Sequence, residues 1–307
     1  MPGGERIFVR AIRQYCARHD IAVDVREEGW LIAMRRDARH HFAFGYDIGI
    51  NSAIAHRLAN DKSATADVLA LSGVPCIPHR IFLNPKMGEH IVASNSRDMM
   101  QNLLEQNLQG VVAKPNEGTA GRFVFKAENR RELERAVGEI FSAYLALTIA
   151  PYVDIEEEVR VVLLDGAPMV VYSKERRCVV GDGRHTLREL SLAAAPEVRL
   201  NGLDETEADA IVPQGVRRVL NWRHNLDAGA RPILMEQGEA RAACVEIAFD
   251  AARAIGIDFA AIDVVRVAGA WKVLEINSGV MMEVLGRQNP DLVCAIYSAA
   301  LDRIFDR

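Results

Sequence analysis

Three side chains that carry oxygen atoms lie on two neighbouring apolar runs of this sequence. Asp263 ends the run 260–263, and Glu275 and Asn277 belong to the run 274–277. If these runs form adjacent strands, their carboxylate and amide groups lie side by side. Mg²⁺ binds a few such oxygens and leaves its other positions to water or to nucleotide phosphates. The pattern predicts a site for a hard divalent cation, and the alternative is two ordinary strand ends with solvated acids.

A loop that contains glycine, residues 116–121, lies between two predicted strands. Its sequence is Asn-Glu-Gly-Thr-Ala-Gly, and the backbone N–H groups of such a tight loop can face phosphate oxygens. It is neither a Walker loop nor a dinucleotide fingerprint that opens a helix. Lys114 and Lys62 would supply point charges to the same phosphates. A plain hairpin turn and two surface lysines are the alternatives.

The elements that must position these residues alternate between helix and strand. Apolar residues at helical spacing predict helices, and short apolar runs bounded by turn residues predict strands. The predicted helices cover 7–19, 52–70 with an interruption at 60–61, 130–144, 238–255 and 291–305. The predicted strands cover 21–25, 30–34, 111–114, 122–126, 147–153, 159–164, 169–172, 260–267 and 271–276. The chain has no repeats or long flexible linkers, so we expect its lobes to pack against each other.

Composition narrows the class of protein. The chain has 307 residues, of which 50% are hydrophobic and 26% charged, as is typical of a globular protein. The net charge of −5 argues against a broad nucleic-acid surface, which would need clustered Lys and Arg. No apolar run approaches the roughly 18 to 20 residues of a membrane span, and the first residues lack an apolar export segment. We therefore expect no nucleic-acid or membrane partner and a cytoplasmic location.

The cysteines predict no disulfide framework. There are five, widely spaced and without a Cys-x-x-Cys pair, so we expect reduced and mostly buried thiols. Cys178 follows Arg176 and Arg177, where a thiolate would be favoured. A catalytic thiol at this position is not the favoured interpretation, because no partner histidine is identifiable.

Several of these motifs together resemble the ATP-grasp superfamily of carboxylate–amine ligases. The resemblance covers residues 40–307, and it is closer to the ligase domain of cyanophycin synthetase and its glutathione synthetase-like relatives. The stretches that carry it, in family order, are 52–55, Asn60-Asp61-Lys62 with Thr65 and Leu69, Gly73-Val-Pro75, 112–115 with its glycine loop, and Asp263 with Glu275-x-Asn277. Residues 40–45, 179–190 and 223–229 resemble stretches of the narrower subgroup.

The resemblance implies an α/β (α+β) fold in which two α+β lobes sandwich ATP. We expect a short N-terminal unit over 1–50, a helical linker and a small lid lobe over 51–153, and a large C-terminal lobe with the metal site over 154–307.

The resemblance also implies a role for each candidate site residue. Those for the phosphates are Lys62 and Lys114, with Glu117, Gly118, Thr119 and Gly121 in the covering loop. Those along the adenine are Pro151, Tyr152 and Val153 in a hinge strand. Glu158, or Glu157 beside it, would hold the ribose hydroxyls. Asp263, Glu275 and Asn277 would carry Mg²⁺, or Mn²⁺ in its place.

Arg160 and Arg223 would face the transferring phosphoryl group or the substrate carboxylate, where a planar bidentate donor is useful. A surface ion pair is the alternative for both. Asp182 and His185 are expected to form a turn.

The implied activity is ATP-dependent formation of an amide bond. A carboxylate takes the γ-phosphoryl group of ATP, and an amine then displaces phosphate from the acylphosphate. The expected partners are a small acid and an amine, such as amino acids or peptides, and a homodimer is an assembly to be tested. The alternatives are an ATP-grasp enzyme acting on another kind of substrate, as a phosphotransferase or other ligase, and a non-catalytic nucleotide-binding protein.

One departure from the family pattern concerns the substrate. After Asn277 the relatives continue into a Pro-Gly turn, whereas this chain has Ser-Gly-Val-Met-Met over 278–282. Because this loop is expected beside the acceptor site, we expect substrate identity to be decided there.

Overall fold

The first unit of the fold is a helix followed by a small sheet. The computed structural model describes residues 5–91, 96–118, 121–196, 198, 200 and 205–306. The unit consists of α1 (Ile7–Arg18), β1 (Ala22–Arg26), β2 (Leu31–Arg36) and β3 (Arg39–Phe44), with antiparallel strands in the order β1-β2-β3. The predicted helix and first two strands are present within one or two residues. The prediction misses β3, because the polar Arg-His-His start of this strand hides its alternation.

Two short helices follow, and one aspartate joins them. They are α2 (Ala53–Asn60) and α3 (Lys62–Leu71). Asp61 follows α2 and caps α3, since its carboxylate accepts the N–H of Ala64 at 2.8 Å. The predicted interruption at 60–61 is confirmed, and it makes Lys62 the first residue of α3.

A four-stranded antiparallel sheet with two helices comes next. Its elements are β4 (Arg80–Leu83), α4 (Ser96–Gln106), β5 (Val111–Pro115), β6 (Phe125–Ala127), α5 (Arg130–Ala143) and β7 (Ala146–Pro151), with strand order β4-β7-β5-β6. β6 starts three residues later than predicted, because the turn before it extends through Phe123, whose φ is +55°. The predicted strand 147–153 ends at Pro151, which pairs with Val111, the first residue of β5.

The largest sheet has five strands and lies in the C-terminal half. The remaining elements are β8 (Glu157–Leu164), β9 (Ala167–Glu175), β10 (Cys178–Val180), α6 (Leu187–Ala194), α7 (Glu205–Ala208), β11 (Arg217–Val219), β12 (Arg231–Leu234), α8 (Glu239–Ile255), β13 (Phe259–Val267), β14 (Ala270–Asn277), α9 (Glu283–Gln288) and α10 (Pro290–Phe305). The antiparallel order is β12-β9-β8-β13-β14, while β10 and β11 pair separately.

The two faces of the five-stranded sheet are covered by different helices. Side chains alternate along β8, so Val159 and Val161 pack into one core with α2, α3 and α8. Val162 and Leu164 pack on the other face with α1 and α10. A strand buried on both faces must be apolar along its length, as the Val-rich sequence of β8 is. Asp263 and Arg160 are thus charged residues within an apolar sheet.

The start of α1 is held by a residue far along the chain. The Glu283 carboxylate accepts the backbone N–H groups of Ile7 at 2.9 Å and Phe8 at 3.3 Å, and also the Tyr46 hydroxyl at 3.2 Å. These are N–H groups at a helix start, which have no partner within the helix. The N-terminal unit is therefore tied to the segment that follows β14. No helix within the described ranges has both the length and the apolarity of a membrane span.

Candidate functional site

The hairpin of β13 and β14 brings the predicted metal ligands together. Its type I′-like turn at Ala268 and Gly269, both with positive φ, sets a register that would place Leu274 opposite Asp263. A bulge between Asp263 and Val264 shifts the pairing by one residue, so that Asp263 lies opposite Glu275. Asn277 follows on the same face, and its amide lies 3.5 Å from the Glu275 carboxylate. Asp263, Glu275 and Asn277 thus lie on the same side of the hairpin.

The Asp263 carboxylate is bound by two cations from the neighbouring strands. Arg160 of β8 lies opposite Asp263 and donates from Nε to Oδ1 and from Nη2 to Oδ2, each at 2.7 Å. Lys174 of β9 lies 2.8 Å from Oδ2, and it also donates to the Glu158 carboxylate at 2.6 Å. The Asp263 side chain is 1% exposed. Asp263, Arg160, Lys174 and Glu158 together form a buried ion network.

Burial and charge act in opposite directions within the ion network. Burial would raise the pKa of Asp263, but Arg160 and Lys174 outweigh it, so that this pKa lies below its ordinary value. Burial raises the pKa of Glu158, and Lys174 offsets this only in part. Asp263 is therefore held ionised, with its oxygens directed at two fixed cations.

Lys114 is a buried ammonium beside this network. Its side chain lies on β5 and the residue is 8% exposed. Among the described residues it has no hydrogen bond or ion pair. Burial lowers the pKa of Lys114 to about 8, an effect that the charge of Glu275 opposes and that of Lys62 reinforces. A buried cation without a partner is costly, so this position is suited to an anion that arrives from outside.

Lys62 and Arg223 hold the two described ends of the glycine loop. Lys62 Nζ donates to the carbonyl oxygens of Gly118 at 3.0 Å and Asn116 at 3.4 Å. Arg223 Nη1 donates to the carbonyl oxygen of Gly121 at 2.9 Å. Thr119 lies outside the described residues. The loop is thus attached both to α3 and to the segment before β12.

The predicted hinge residues lie at the end of β7. Tyr152 donates its N–H to Gly110 at 3.0 Å, and Lys126 Nζ lies 3.9 Å from the centre of its ring. Val153 packs on the small apolar cluster around Ile77, Ala150 and Val265. Tyr152 and Val153 lie beyond the strand, which ends at Pro151.

The two candidates for the ribose acid point to opposite faces of β8. Glu158 lies on the face of the ion network and is buried against Lys174. Glu157 lies on the other face, 3.5 Å from Arg266 Nη1, and its side chain is 46% exposed. The structure does not bring Glu157 to the ion network.

A cavity of about 420 Å³ lies between α2, α3, the glycine loop and β14. Its walls include the predicted residues Lys62, Glu117, Gly118, Glu275 and Asn277. His79, which sequence reasoning did not select, also lines it. In the ranges that the structure describes, no three His, Cys, Asp or Glu side chains converge as a metal-binding group. Of the predicted metal ligands, only Glu275 and Asn277 reach the cavity.

The loop 278–282 is turned into the protein rather than towards the cavity. Ser278, Val280 and Met282 are at most 1% exposed. Ser278 Oγ lies 3.0 Å from His56 Nδ1 and 3.4 Å from Asn60 Oδ1, and Asn60 lines the cavity. The loop thus reaches the cavity through Asn60.

Two outlying candidates have structural roles. Asp182 accepts the backbone N–H groups of Arg184 and His185 at 2.9 Å each, as expected of a turn. Cys178 Sγ accepts a hydrogen bond from Arg217 Nε at 2.8 Å across the β10–β11 pair.

Comparisons with known proteins bear on the fold. No protein-family model and no curated protein sequence matches the chain. The structure is similar to a bifunctional glutathione synthetase from Pasteurella multocida, with TM-score 0.52 and 17% identity over 95% of this chain and 43% of that one. It is also similar to D-alanine–D-alanine ligase from Bacillus anthracis, with TM-score 0.54 and 16% identity over 83% of this chain and 69% of that one.

A structure of the same ligase complexed with ATP matches with TM-score 0.50 and 14% identity, over 84% of this chain and 71% of that one. The chain has the ATP-grasp fold. It spans less than half the length of the glutathione synthetase. The ATP-grasp fold agrees with the expectation from the sequence.

Proposed function

We propose that this chain is an ATP-dependent carboxylate–amine ligase that forms an amide bond through an acylphosphate. The observation that carries the proposal is the buried Lys114 ammonium beside Glu275, which has no partner among the described residues, within an ATP-grasp fold. The triphosphate of ATP would supply the anion that this ammonium lacks.

The phosphates would be bound by groups from three elements. Lys114 reaches them from β5 and Lys62 from α3, and the N–H groups of the loop that includes Glu117, Gly118, Thr119 and Gly121 cover them. Lys62 already donates to the loop carbonyls, so it also fixes the shape of the loop. Pro151, Tyr152 and Val153 would lie along the adenine, and Glu158 rather than Glu157 is on the face of β8 suited to the ribose.

Mg²⁺ would be held by Glu275 and Asn277, with Asp263 as a third ligand. Glu275 fits this role, because it lines the cavity and has no ion pair among the described residues. Asp263 accepts three hydrogen bonds from Arg160 and Lys174, which leaves about one of roughly four lone-pair positions of its carboxylate for a metal. The bound cation would neutralise charge on the phosphates.

Two arginines take different parts in the proposal. Arg223, at the edge of the glycine loop, faces the transferring phosphoryl group or the substrate carboxylate. Arg160 acts through Asp263, whose position and charge it holds.

The reaction needs positioning and the exclusion of water more than side-chain bases. The substrate carboxylate attacks the γ-phosphorus and ADP leaves; the amine then attacks the acylphosphate carbon and phosphate leaves. A lid must cover the acylphosphate, since water would hydrolyse it. We assign this to the lobe within 51–153, with 1–50 as the N-terminal unit and 154–307 as the large lobe.

The proposed substrates are an amino acid or a small peptide, as acid and as amine. The names of the similar structures, glutathione synthetase and D-alanine–D-alanine ligase, support this class. The cytoplasmic location, the use of Mn²⁺ in place of Mg²⁺, the homodimer and the lack of a nucleic-acid partner remain predictions.

The test is a pooled screen of amino acids and peptides read out by phosphate release and by mass spectrometry of the product. ADP release that needs both a carboxylate and an amine supports the ligase. ADP release with one substrate alone favours a phosphotransferase or another ATP-grasp reaction. Glu275→Gln should abolish ADP formation in a folded protein, and normal turnover of this variant would contradict the metal assignment.

A further inference from the structure

His79 is a residue of the cavity wall, and one of its ring nitrogens has no partner among the described residues. The residue is 7% exposed and directly precedes β4. Its Nδ1 lies 2.8 Å from the carbonyl oxygen of Ile77. Its Nε2 is buried and has no hydrogen bond within the described part of the chain.

The contact with Ile77 decides which ring nitrogen carries the proton. A carbonyl oxygen only accepts, so Nδ1 must donate, and in the neutral ring Nε2 then carries a lone pair. A phosphate oxygen also presents lone pairs. It can approach Nε2 favourably only if this nitrogen gains a proton, because moving the proton from Nδ1 would break the bond to Ile77.

The charges around the ring keep it neutral until an anion arrives. The pKa of His79 lies well below its ordinary value. Burial has the largest effect on it, and the positive charges of Lys114 and then Lys62 lower it further. The same two lysines are the proposed phosphate ligands, so the anion that they attract would lie close to His79. That negative charge would reverse their effect on the ring.

We propose that His79 is a further phosphate-binding residue of this site, which takes up a proton at Nε2 when the nucleotide binds. The inference rests on the proposed function, because it needs a nucleotide phosphate in the cavity. No bond is made or broken except N–H, and the proton comes from the solvent.

The affinity for the nucleotide should depend on pH. Since the complex holds more protons than the free protein, this affinity falls as the pH rises, by up to about tenfold per pH unit for one proton. Lys114, with its pKa at about 8, is already charged at slightly acid pH. Uptake near pH 6.5, roughly the ordinary pKa of histidine, would therefore belong to His79 and not to Lys114.

The experiment is calorimetric titration of the full chain with ADP and excess Mg²⁺ near pH 6.5, in two buffers of different ionisation enthalpy. We expect the wild-type protein to take up a substantial fraction of a proton, and His79→Gln to lose most of it. The ring carbon shift of His79, followed by NMR with and without ADP, gives the same information in the wild-type protein if the variant does not fold.

His224→Gln is the matched control. His224 is also buried, with Nδ1 2.8 Å from the Lys174 carbonyl and Nε2 without a partner in the described residues, but it does not line the cavity. This variant should keep the proton uptake. Binding without buffer dependence, or uptake lost in His224→Gln but kept in His79→Gln, would overturn the assignment to His79. The absence of any ADP binding would instead refute the proposed function.

Discussion

At the scale of single residues, the site holds charge at a cost to the fold. Lys114 has no anionic partner among the described residues, and its pKa falls from 10.5 to about 8 because it is buried. Such a shift corresponds to about 3 kcal/mol of stability that the protein forgoes while the lysine is charged. Binding sites commonly retain groups that weaken the free protein, because function requires them.

Lys114→Met should therefore raise stability and remove function together. We expect the free energy of unfolding at pH 7 to increase by about 1 to 3 kcal/mol and ADP formation to be lost. The pH dependence should change as well. Because the unfolded chain holds the proton up to about pH 10.5 and the folded chain only to about 8, wild-type stability should rise with pH across this window.

Urea unfolding at several pH values checks this prediction, with the exposed Lys86→Met as the control. A variant that is less stable than the wild type, or one that loses activity without a gain in stability, would show that Lys114 has a partner in the folded protein.

Asp263→Asn should have the opposite effect on stability. It would leave Arg160 and Lys174 without their shared carboxylate in a buried site, which costs about 3 to 5 kcal/mol. Because the pKa of Asp263 is depressed in the folded protein, its contribution is complete above about pH 4 and is lost only as the pH falls below that value. Denaturant unfolding at pH 7 and at acid pH tests both parts. Equal stability of the variant and the wild type at pH 7 would rule out a stabilising network.

At the scale of elements, two bulges set which side chains meet. One lies in the β13–β14 hairpin and brings Glu275 opposite Asp263. The other, between Val162 and Leu163, shifts the β8–β9 register by one, so that Lys174 rather than Ser173 faces Glu158. A one-residue shift exchanges the faces of a strand. Sequence patterns locate strands and hairpin turns, but a bulge has no reliable sequence signal.

This explains how far the sequence could predict the site. Motifs carried by one short segment, such as the Asp61 cap before Lys62 or the Glu-x-Asn pair, could be found from their residues. The roles of Lys174 and His79 could not be predicted, since each role depends on contacts with strands that are distant in the sequence. An Asp-Gly turn at 165–166 predicts the β8–β9 hairpin, yet its simple register would place Lys174 one residue away from Glu158.

Gly121→Ala tests the contact between the glycine loop and the segment before β12. Gly121 has φ +65°, and a Cβ atom there would lie 2.4 Å from Asn225 Nδ2. We expect turnover to fall more than tenfold, with a loss of stability of about 1 to 2 kcal/mol. Gly73→Ala is the matched control, because Gly73 has φ +72° but no atom within 4 Å of its Cβ position. If both variants lose turnover equally, backbone strain and not the loop contact is responsible.

At the scale of the whole molecule, the proposed nucleotide lies between the four-stranded and five-stranded sheets. The side chains proposed to bind it come from β5 on one side and from β13 and β14 on the other. A ligand held by both sheets should stabilise their relative position, and ligand present at about 100 times its Kd adds roughly 2.7 kcal/mol to the folded state.

We therefore expect ADP with Mg²⁺ to raise the Tm by several degrees and to slow hydrogen exchange in β5 and β6. Mass-resolved hydrogen exchange measures both regions at once. The pair β10–β11, which lies apart from the cavity, is the internal control. Slower exchange confined to β10–β11 would place the nucleotide elsewhere.

The bond between Glu283 and the start of α1 bears on how the protein is made. The two residues of α1 whose backbone N–H groups donate to this carboxylate precede it by 276 and 275 positions. At roughly 5 to 20 residues per second, a ribosome needs about 15 to 60 s to reach Glu283 after it has made α1. The apolar face of α1 is covered by α10, which is synthesised later still. During that interval this apolar face is exposed, so nascent chains of this protein should depend on chaperones until α10 has been made.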